Sequence, residues 1–271
     1  VIARFRPDVV FSKGGFVSFP VVFAAWLWRI PVVAHESDLS PGLANRLSLP
    51  FIRTLCVNFP VTQPGRFKGK VLYTGTPVRE ALLAGDAHEG RRLLGIAAQT
   101  PVLLVTGGSL GADVINESLR HALPELCRSW HVVHICGPGK RVEVDNDRYS
   151  QFEYVREEWG HILAAADLVV SRAGANTLYE LVLLGKVNLL IPLSKRVSRG
   201  DQIENADYAR DHGYSAVLEE EALNPQSLVA AIDTLRDASA EYRRALDEFA
   251  VPDSVALLSE EIQRQVTAAA N

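Results

Sequence analysis

The residues best placed to do chemistry lie in one stretch, 171–181, which reads Ser-Arg-Ala-Gly-Ala-Asn-Thr-Leu-Tyr-Glu-Leu. It joins an apolar run at 167–170 to a run with helical spacing at Leu178, Leu181 and Val182 that stops at Gly185. A strand ending in a short glycine turn and then a helix leaves backbone N–H groups free beside the positive end of the helix dipole. Such a junction suits an anion or a nucleotide. Glu180, about two turns into the helix, would bring a lone carboxylate within reach of hydroxyls on a ligand docked at that end. A solvated helix glutamate is the plainer alternative.

Three further stretches carry polar groups at comparable junctions. Gly107-Gly108-Ser109-Leu110-Gly111 follows an apolar run, and its amides and the Ser109 hydroxyl could cradle a phosphate. It lacks the third glycine of the dinucleotide fingerprint and the Lys-Ser/Thr pair of a P-loop, so alone it reads better as a plain turn. His35-Glu36-Ser37-Asp38 offers an imidazole and two carboxylates. Successive residues of an extended segment point to opposite faces, which suits a metal poorly, and a strand-end histidine held by hydrogen bonds serves as well. In Asp201-Gln202-Ile203-Glu204-Asn205, Gln202 and Asn205 lie one turn apart, a spacing that suits sugar hydroxyls, while Asp201 or Gly200 could simply cap a helix.

These loops need strands and helices to hold them. Apolar runs at 7–12, 31–34, 54–58 and 71–74 read as strands, with one apolar helix at 16–29, or a pair of short ones interrupted near Pro20, and another helix at 43–47. Gly75-Thr76-Pro77-Val78-Arg79 breaks the rhythm, and the domain boundary is placed near Gly75. One polar helix is expected over 79–95. A second series follows, with strands at 101–106, 130–136, 152–155, 168–171, 187–192 and 214–218. Its helices are expected at 112–127, 158–165, 175–185 and 201–212, and the remainder from Pro225 reads as helical. Strand and helix alternating at this spacing make an α/β protein with parallel sheets. In such sheets ligands bind outside the carboxyl ends of strands, where the polar stretches fall.

Composition narrows the classes. The chain has 271 residues, 48% hydrophobic and 22% charged, which suits two medium globular domains and excludes a disordered tail. A net charge of −4 argues against a non-specific nucleic-acid binder. Cys56, Cys127 and Cys136 fit neither a disulfide framework nor a metal knuckle, and point to a reducing compartment. The longest apolar stretch, 16–28, is broken by Ser18 and Pro20 and is too short to span a bilayer. The chain contains no methionine and begins in what reads as the end of a helix, so a fragment is expected.

Taken in order, the motifs resemble one family. They are Gly-Gly-Phe-Val-Ser (14–18), His-Glu-Ser-Asp (35–38) with Pro-Gly-Leu-Ala-Asn (41–45), and Gly-Thr-Pro-Val-Arg (75–79). Thr-Gly-Gly-Ser-Leu-Gly-Ala (106–112) with Asn116, the stretch 171–180, and Asp-Gln-Ile-Glu-Asn-Ala (201–206) complete the series. Together they resemble the MurG family of UDP-N-acetylglucosamine:lipid I N-acetylglucosaminyltransferases, over a span from about Pro7 to Ala206.

The resemblance implies a GT-B fold, two Rossmann-like domains facing across a cleft. Here the N-terminal domain, 1–75, would be incomplete, and 76–271 would form the UDP-sugar domain with its C-terminal helices. It implies that Glu180 holds the ribose hydroxyls and that Val155 meets the uracil through its backbone. Ser109, the neighbouring amides and Arg79 would bind the diphosphate, and Ala173, Gly174 and Asn176 would line the donor site. Gln202 and Asp38 would meet the N-acetylglucosamine hydroxyls, with Asn205 in support. Phe16 stands where tyrosine is frequent in the family and Asp38 where asparagine is frequent. An ionised Asp38 accepts hydrogen bonds but cannot donate them.

The reaction implied is an inverting transfer from UDP-N-acetylglucosamine to lipid I, forming lipid II, at the cytoplasmic face of the bacterial inner membrane. It would use no metal or other cofactor and no nucleic-acid partner. The helix with Trp26, Leu27, Trp28 and Arg29 would touch the bilayer, or else serve as a core helix with snorkelling ends. The family's first glycine-rich loop, which carries the candidate base, is expected upstream of Val1. The chain alone is therefore expected to bind the donor without turning over. A transferase with another lipid acceptor, a non-catalytic nucleotide-sugar binder and a sugar-nucleotide 2-epimerase are the rivals.

Overall fold

The computed structural model describes residues 2–270 and divides the chain into two compact units. Unit 1 takes the chain up to Pro77 and again from Ala250, and unit 2 is Val78–Phe249.

Unit 1 opens with α1 (Ile2–Phe5), β1 (Val10–Ser12), α2 (Ser18–Leu27) and β2 (Val32–Glu36). It continues through α3 (Leu43–Ser48), a 3-10 turn at Leu49–Phe51, β3 (Thr54–Val57) and β4 (Lys70–Tyr73). The four strands form one parallel sheet in the order β1-β2-β3-β4. Of the two readings of 16–29, one helix or a pair interrupted near Pro20, the single helix is the one that forms. Pro20 is the third residue of α2, where a backbone N–H has no acceptor within the helix, so its absence costs nothing there. Strand alternation sorts the core. Val32, Ala34, Leu55 and Val57 pack on one face with Val22 and Ala25 of α2, while Val33 and Cys56 point to the other.

Unit 2 begins with α4 (Glu80–Leu83) and α5 (Ala87–Leu94), two helices where one was expected. The break comes at Gly85-Asp86, where the Asp86 carboxylate accepts from Glu89 N at 2.8 Å and so caps α5. Then come β5 (Val102–Thr106), α6 (Asp113–Ser129), β6 (His131–Ile135), β7 (Tyr149–Phe152), α7 (Trp159–Ala165) and β8 (Leu168–Ser171). The unit closes with α8 (Ala175–Leu183), β9 (Asn188–Leu190), α9 (Asp201–Asp211), β10 (Ala216–Val217), α10 (Pro225–Asp237) and α11 (Ser239–Asp247).

The six strands of unit 2 are parallel in the order β10-β9-β8-β5-β6-β7. β5, β6 and β8 are buried along their whole length, which is why they read as continuous apolar runs rather than alternating ones. From β5 the chain winds outward through β6 and β7, then returns to β8 and winds the other way. The gap between β5 and β8 is the topological switch point, and it positions the site.

Two expectations are corrected here. β7 lies at Tyr149–Phe152 rather than 152–155, because its partner β6 ends at Ile135, opposite Phe152. Residues 153–155 leave the sheet. The last helix, α12 (Ser254–Ala270), belongs to unit 1 and not to the UDP-sugar domain with which it was grouped. Its Leu258 and Ile262 cover the second face of the unit 1 sheet at Val33, Cys56 and Leu72, apolar surface that would otherwise face water.

Candidate functional site

A cavity of about 210 Å³ opens in unit 2 at the carboxyl ends of β5, β6 and β8. Each part of its wall has a local cause. β5 delivers Thr106, and the glycine turn after it delivers Gly108 and Ser109. Gly108 has φ +86°, and Thr106 Oγ1 accepts its N–H at 3.3 Å, which turns the chain back towards α6. Gly111, φ +67°, approaches the next strand so closely that a Cβ there would lie 1.9 Å from Cys136 O. β6 contributes Ile135, and the segment that leaves β7 contributes Tyr154, Val155 and the first residue of α7, Trp159.

From β8 and α8 come Ser171, Arg172, Thr177 and Glu180, and from the start of the unit comes Arg79, the residue that precedes α4. No side chain caps α8. Its first-turn amides therefore keep their donors, at the positive end of the helix.

The two arginines of the wall differ in kind. Arg172 donates to Ile191 O at 3.1 Å and to Pro192 O at 3.4 Å, and pairs with Glu220, so it ties β9 to the following loops. Arg79 has no such structural duty and is exposed on the cavity side. Glu180 is partly buried. Burial raises its pKa, and the charge of Arg79 pulls it back.

Of the ten expected site residues, nine lie in unit 2 and Asp38 lies in unit 1. Arg79, Ser109, Val155 and Glu180 share the cavity wall. Ala173, Gly174 and Asn176 form the start of α8 beside it, but their neighbours Arg172 and Thr177 supply the wall itself. Gln202 Oε1 accepts from Leu193 N at 3.1 Å and so holds the β9–α9 loop. Asn205, fully buried, donates to Ala173 O at 3.1 Å and supports the α8 start from beneath.

Ile135, Tyr154 and Trp159 carry no motif of the sequence, and Thr106 and Thr177 stand in it only as members of longer motifs. Thr106 and Ile135 are the last residues of their strands, and the strand-end rule would have found them. Tyr154 was hidden by the misplaced β7.

In unit 1, His35-Glu36-Ser37-Asp38 proves to be a loop organiser. His35 Nε2 donates to Gly75 O at 2.8 Å, and Lys13 Nζ donates to His35 Nδ1 at 2.9 Å, so neither ring nitrogen is open. Burial and the Lys13 charge lower His35 to about 4, which keeps the ring neutral. Glu36 accepts from Asp38 N at 3.0 Å, Gly42 N at 2.9 Å and Asn45 Nδ2 at 2.9 Å.

Known proteins place this geometry. Residues 102–258 match the Glycosyltransferase family 28 C-terminal domain and residues 1–56 its N-terminal domain. The UDP-N-acetylglucosamine–N-acetylmuramyl-(pentapeptide) pyrophosphoryl-undecaprenol N-acetylglucosamine transferase of Clostridium kluyveri is 49% identical over 256 residues, 94% of this chain and 72% of that protein. The transferase of the same name from Legionella pneumophila (strain Paris) is 51% identical over 237 residues, 86% of this chain and 65% of that one. Among solved structures, Acinetobacter baumannii MurG superposes with a TM-score of 0.77 at 26% identity, covering 97% of this chain and 75% of that chain. With its two parallel-sheet α/β units of the GT-B class, the chain belongs to glycosyltransferase family 28 and, within it, to the MurG family.

Proposed function

We propose that the chain serves a UDP-N-acetylglucosamine-dependent transfer of N-acetylglucosamine to the C4 hydroxyl of the N-acetylmuramoyl sugar of lipid I, giving lipid II for peptidoglycan. The observation that carries this reading is the switch-point cavity, where Glu180, Arg79, Ser109 and an uncapped helix start converge. A nucleoside diphosphate has hydroxyls at one end and negative charge at the other. Glu180 accepts from ribose hydroxyls, Val155 meets the base through its backbone, and Ser109 with the loop amides receives the phosphates. As UDP leaves, charge grows on the diphosphate, and preset amides with the Arg79 guanidinium stabilise it. Ala173, Gly174 and Asn176 shape this end, and Gln202 is read as a partner of the donor sugar.

The reading needs no metal or other cofactor. A general base for the acceptor hydroxyl is not assigned to His35, whose ring nitrogens are both engaged. The acceptor is lipid-borne, and the exposed apolar edge of unit 1 fits a bilayer surface. Phe16 is 94%, Leu27 60% and Trp28 53% exposed, with Arg29 beside them. No helix of the described residues is long and apolar enough to cross a membrane, so a peripheral association with the cytoplasmic face of the inner membrane is the form proposed.

Nucleotide selectivity tests the donor assignment. UDP and UDP-N-acetylglucosamine should raise the melting temperature, and ADP and GDP should not. Stabilisation by all four alike would count against it. Incubation with UDP-N-acetylglucosamine alone should leave the sugar unchanged, and conversion to UDP-N-acetylmannosamine would favour an epimerase instead.

A further inference from the structure

Beneath the glycine loop of unit 2 runs a buried polar chain that the proposed transfer does not itself use. His134, fully buried in β6, has Nδ1 2.7 Å from the Tyr149 hydroxyl and Nε2 2.9 Å from Asn116 Oδ1. Asn116, buried near the start of α6, donates through Nδ2 to Cys136 O at 2.8 Å. A carbonyl only accepts, which fixes every proton in the series. Asn116 turns its nitrogen to Cys136 and its oxygen to His134. His134 therefore carries its proton on Nε2, and Nδ1 accepts from the Tyr149 O–H. Burial, with the nearby Arg120 charge, lowers His134 to about 3, so the ring stays neutral in this one tautomer.

Cys136 is where the series meets the donor cavity. It follows Ile135 of the cavity wall, and its carbonyl is the atom against which Gly111 packs without room for a Cβ. The next residue, Gly137, is as close to the other side of the loop, with a Cβ position 2.5 Å from Leu110 O. The loop that carries Ser109 is thus wedged against Cys136-Gly137, held through the Asn116 amide and by Lys140 Nζ, which donates to Gly111 O at 3.4 Å.

We propose that Tyr149, His134 and Asn116 are positioning residues that set the Cys136 carbonyl and the first turn of α6, so that Ser109 and the loop amides stand ready for the nucleotide's phosphates. The proposal rests on the donor-site reading above. Its consequence is selective, because its hydrogen bonds end at Cys136 O beside the Ser109 loop and reach neither Glu180 nor Val155. Disturbing it should weaken recognition of the phosphates and leave recognition of the nucleoside alone.

Two variants test this. Asn116→Asp removes the N–H that reaches Cys136 with little change of shape, and Tyr149→Phe, the milder change, removes one hydroxyl and keeps the ring. UDP affinity is read by calorimetry and uridine affinity by ligand-observed NMR, on chains whose near-ultraviolet circular dichroism reports a folded state. The loss of one buried hydrogen bond corresponds to about tenfold weaker UDP binding for Asn116→Asp and about threefold for Tyr149→Phe, with uridine unchanged. If Asn116→Asp does not fold, Tyr149→Phe decides. Unchanged UDP binding in the folded variants, or equal losses for UDP and uridine, would overturn the proposal while the donor site stands. A wild-type chain that binds no UDP would overturn both.

Discussion

Glu180 is the residue on which donor recognition turns. Burial favours its neutral form and Arg79 favours its charged form, with burial the larger effect. Only the carboxylate accepts from two ribose hydroxyls, so donor affinity should fall on acidification at a pH above that at which an ordinary glutamate titrates. UDP-N-acetylglucosamine has no group of its own ionising there, so the inflection belongs to the protein. Calorimetry from pH 7 to 4.5 should show it in the wild type and not in Glu180→Gln. Arg79→Ala should weaken binding by about tenfold and move the inflection to higher pH, because the charge that holds the carboxylate ionised is gone. An inflection unmoved by Arg79→Ala would contradict this coupling.

Glu180, Ser109 and the α8 start were legible as chemistry at a strand–glycine–helix junction. Val155 was legible only through the family resemblance, since a backbone contact leaves no side-chain signal. For Asn205 a contact with sugar hydroxyls and a supporting role were both open in the sequence, because an exposed amide and a buried one are the same letter, and it is buried with its Nδ2 donating to Ala173 O.

At the level of elements, sequence periodicity located strands and helices but not every edge. β7 slid by three residues because its extent depends on where β6 runs out of pairing, which is a tertiary fact. Pro20 left one helix or two open in the sequence, and its place in the first turn decides for one, because a proline ends a helix only beyond that turn. The glycines repaid attention unevenly. At Gly108, φ is +86° with open space around the Cβ position, whereas at Gly111 a Cβ would collide with Cys136 O. Gly108→Ala should therefore cost about 1 kcal/mol of backbone strain. Gly111→Ala, which also drives the loop away from β6, should cost more and weaken UDP binding. Thermal unfolding of both variants checks the order, and equal stabilities would count against the wedge.

For the whole molecule, the feature that periodicity could not supply is the return of the chain to unit 1. α12 is clamped there by Glu261, 2% exposed in its side chain, which accepts from Thr54 Oγ1 at 2.5 Å, Lys70 Nζ at 2.8 Å and Arg264 Nη2 at 2.6 Å. Burial alone would raise the Glu261 pKa, but the hydrogen bonds from Arg264, Lys70, Thr54 and Gln265 hold it well below the usual carboxylate range. Its folded value lies below its unfolded one. The clamp therefore contributes in full above the ordinary carboxylate range and is lost as pH falls towards the folded value. Glu261→Gln should destabilise unit 1 by about 2 kcal/mol at pH 7, and the gap from wild type should narrow below pH 4 (about the unfolded glutamate value). A gap that stayed constant with pH would contradict the assignment.

The apolar edge of unit 1 belongs to this scale as well. Trp28→Ser with Leu27→Ser should lower co-sedimentation with anionic vesicles by about tenfold or more, and unchanged partitioning would remove that edge from the membrane reading.

The central claim, an assembled donor site in unit 2, is met most directly by titration calorimetry of the chain with UDP-N-acetylglucosamine beside its Glu180→Ala variant. A dissociation constant on the order of micromolar, weakened at least about tenfold by the substitution, is the result expected. A folded chain that binds no donor, or binds it equally without the carboxylate, would contradict the account.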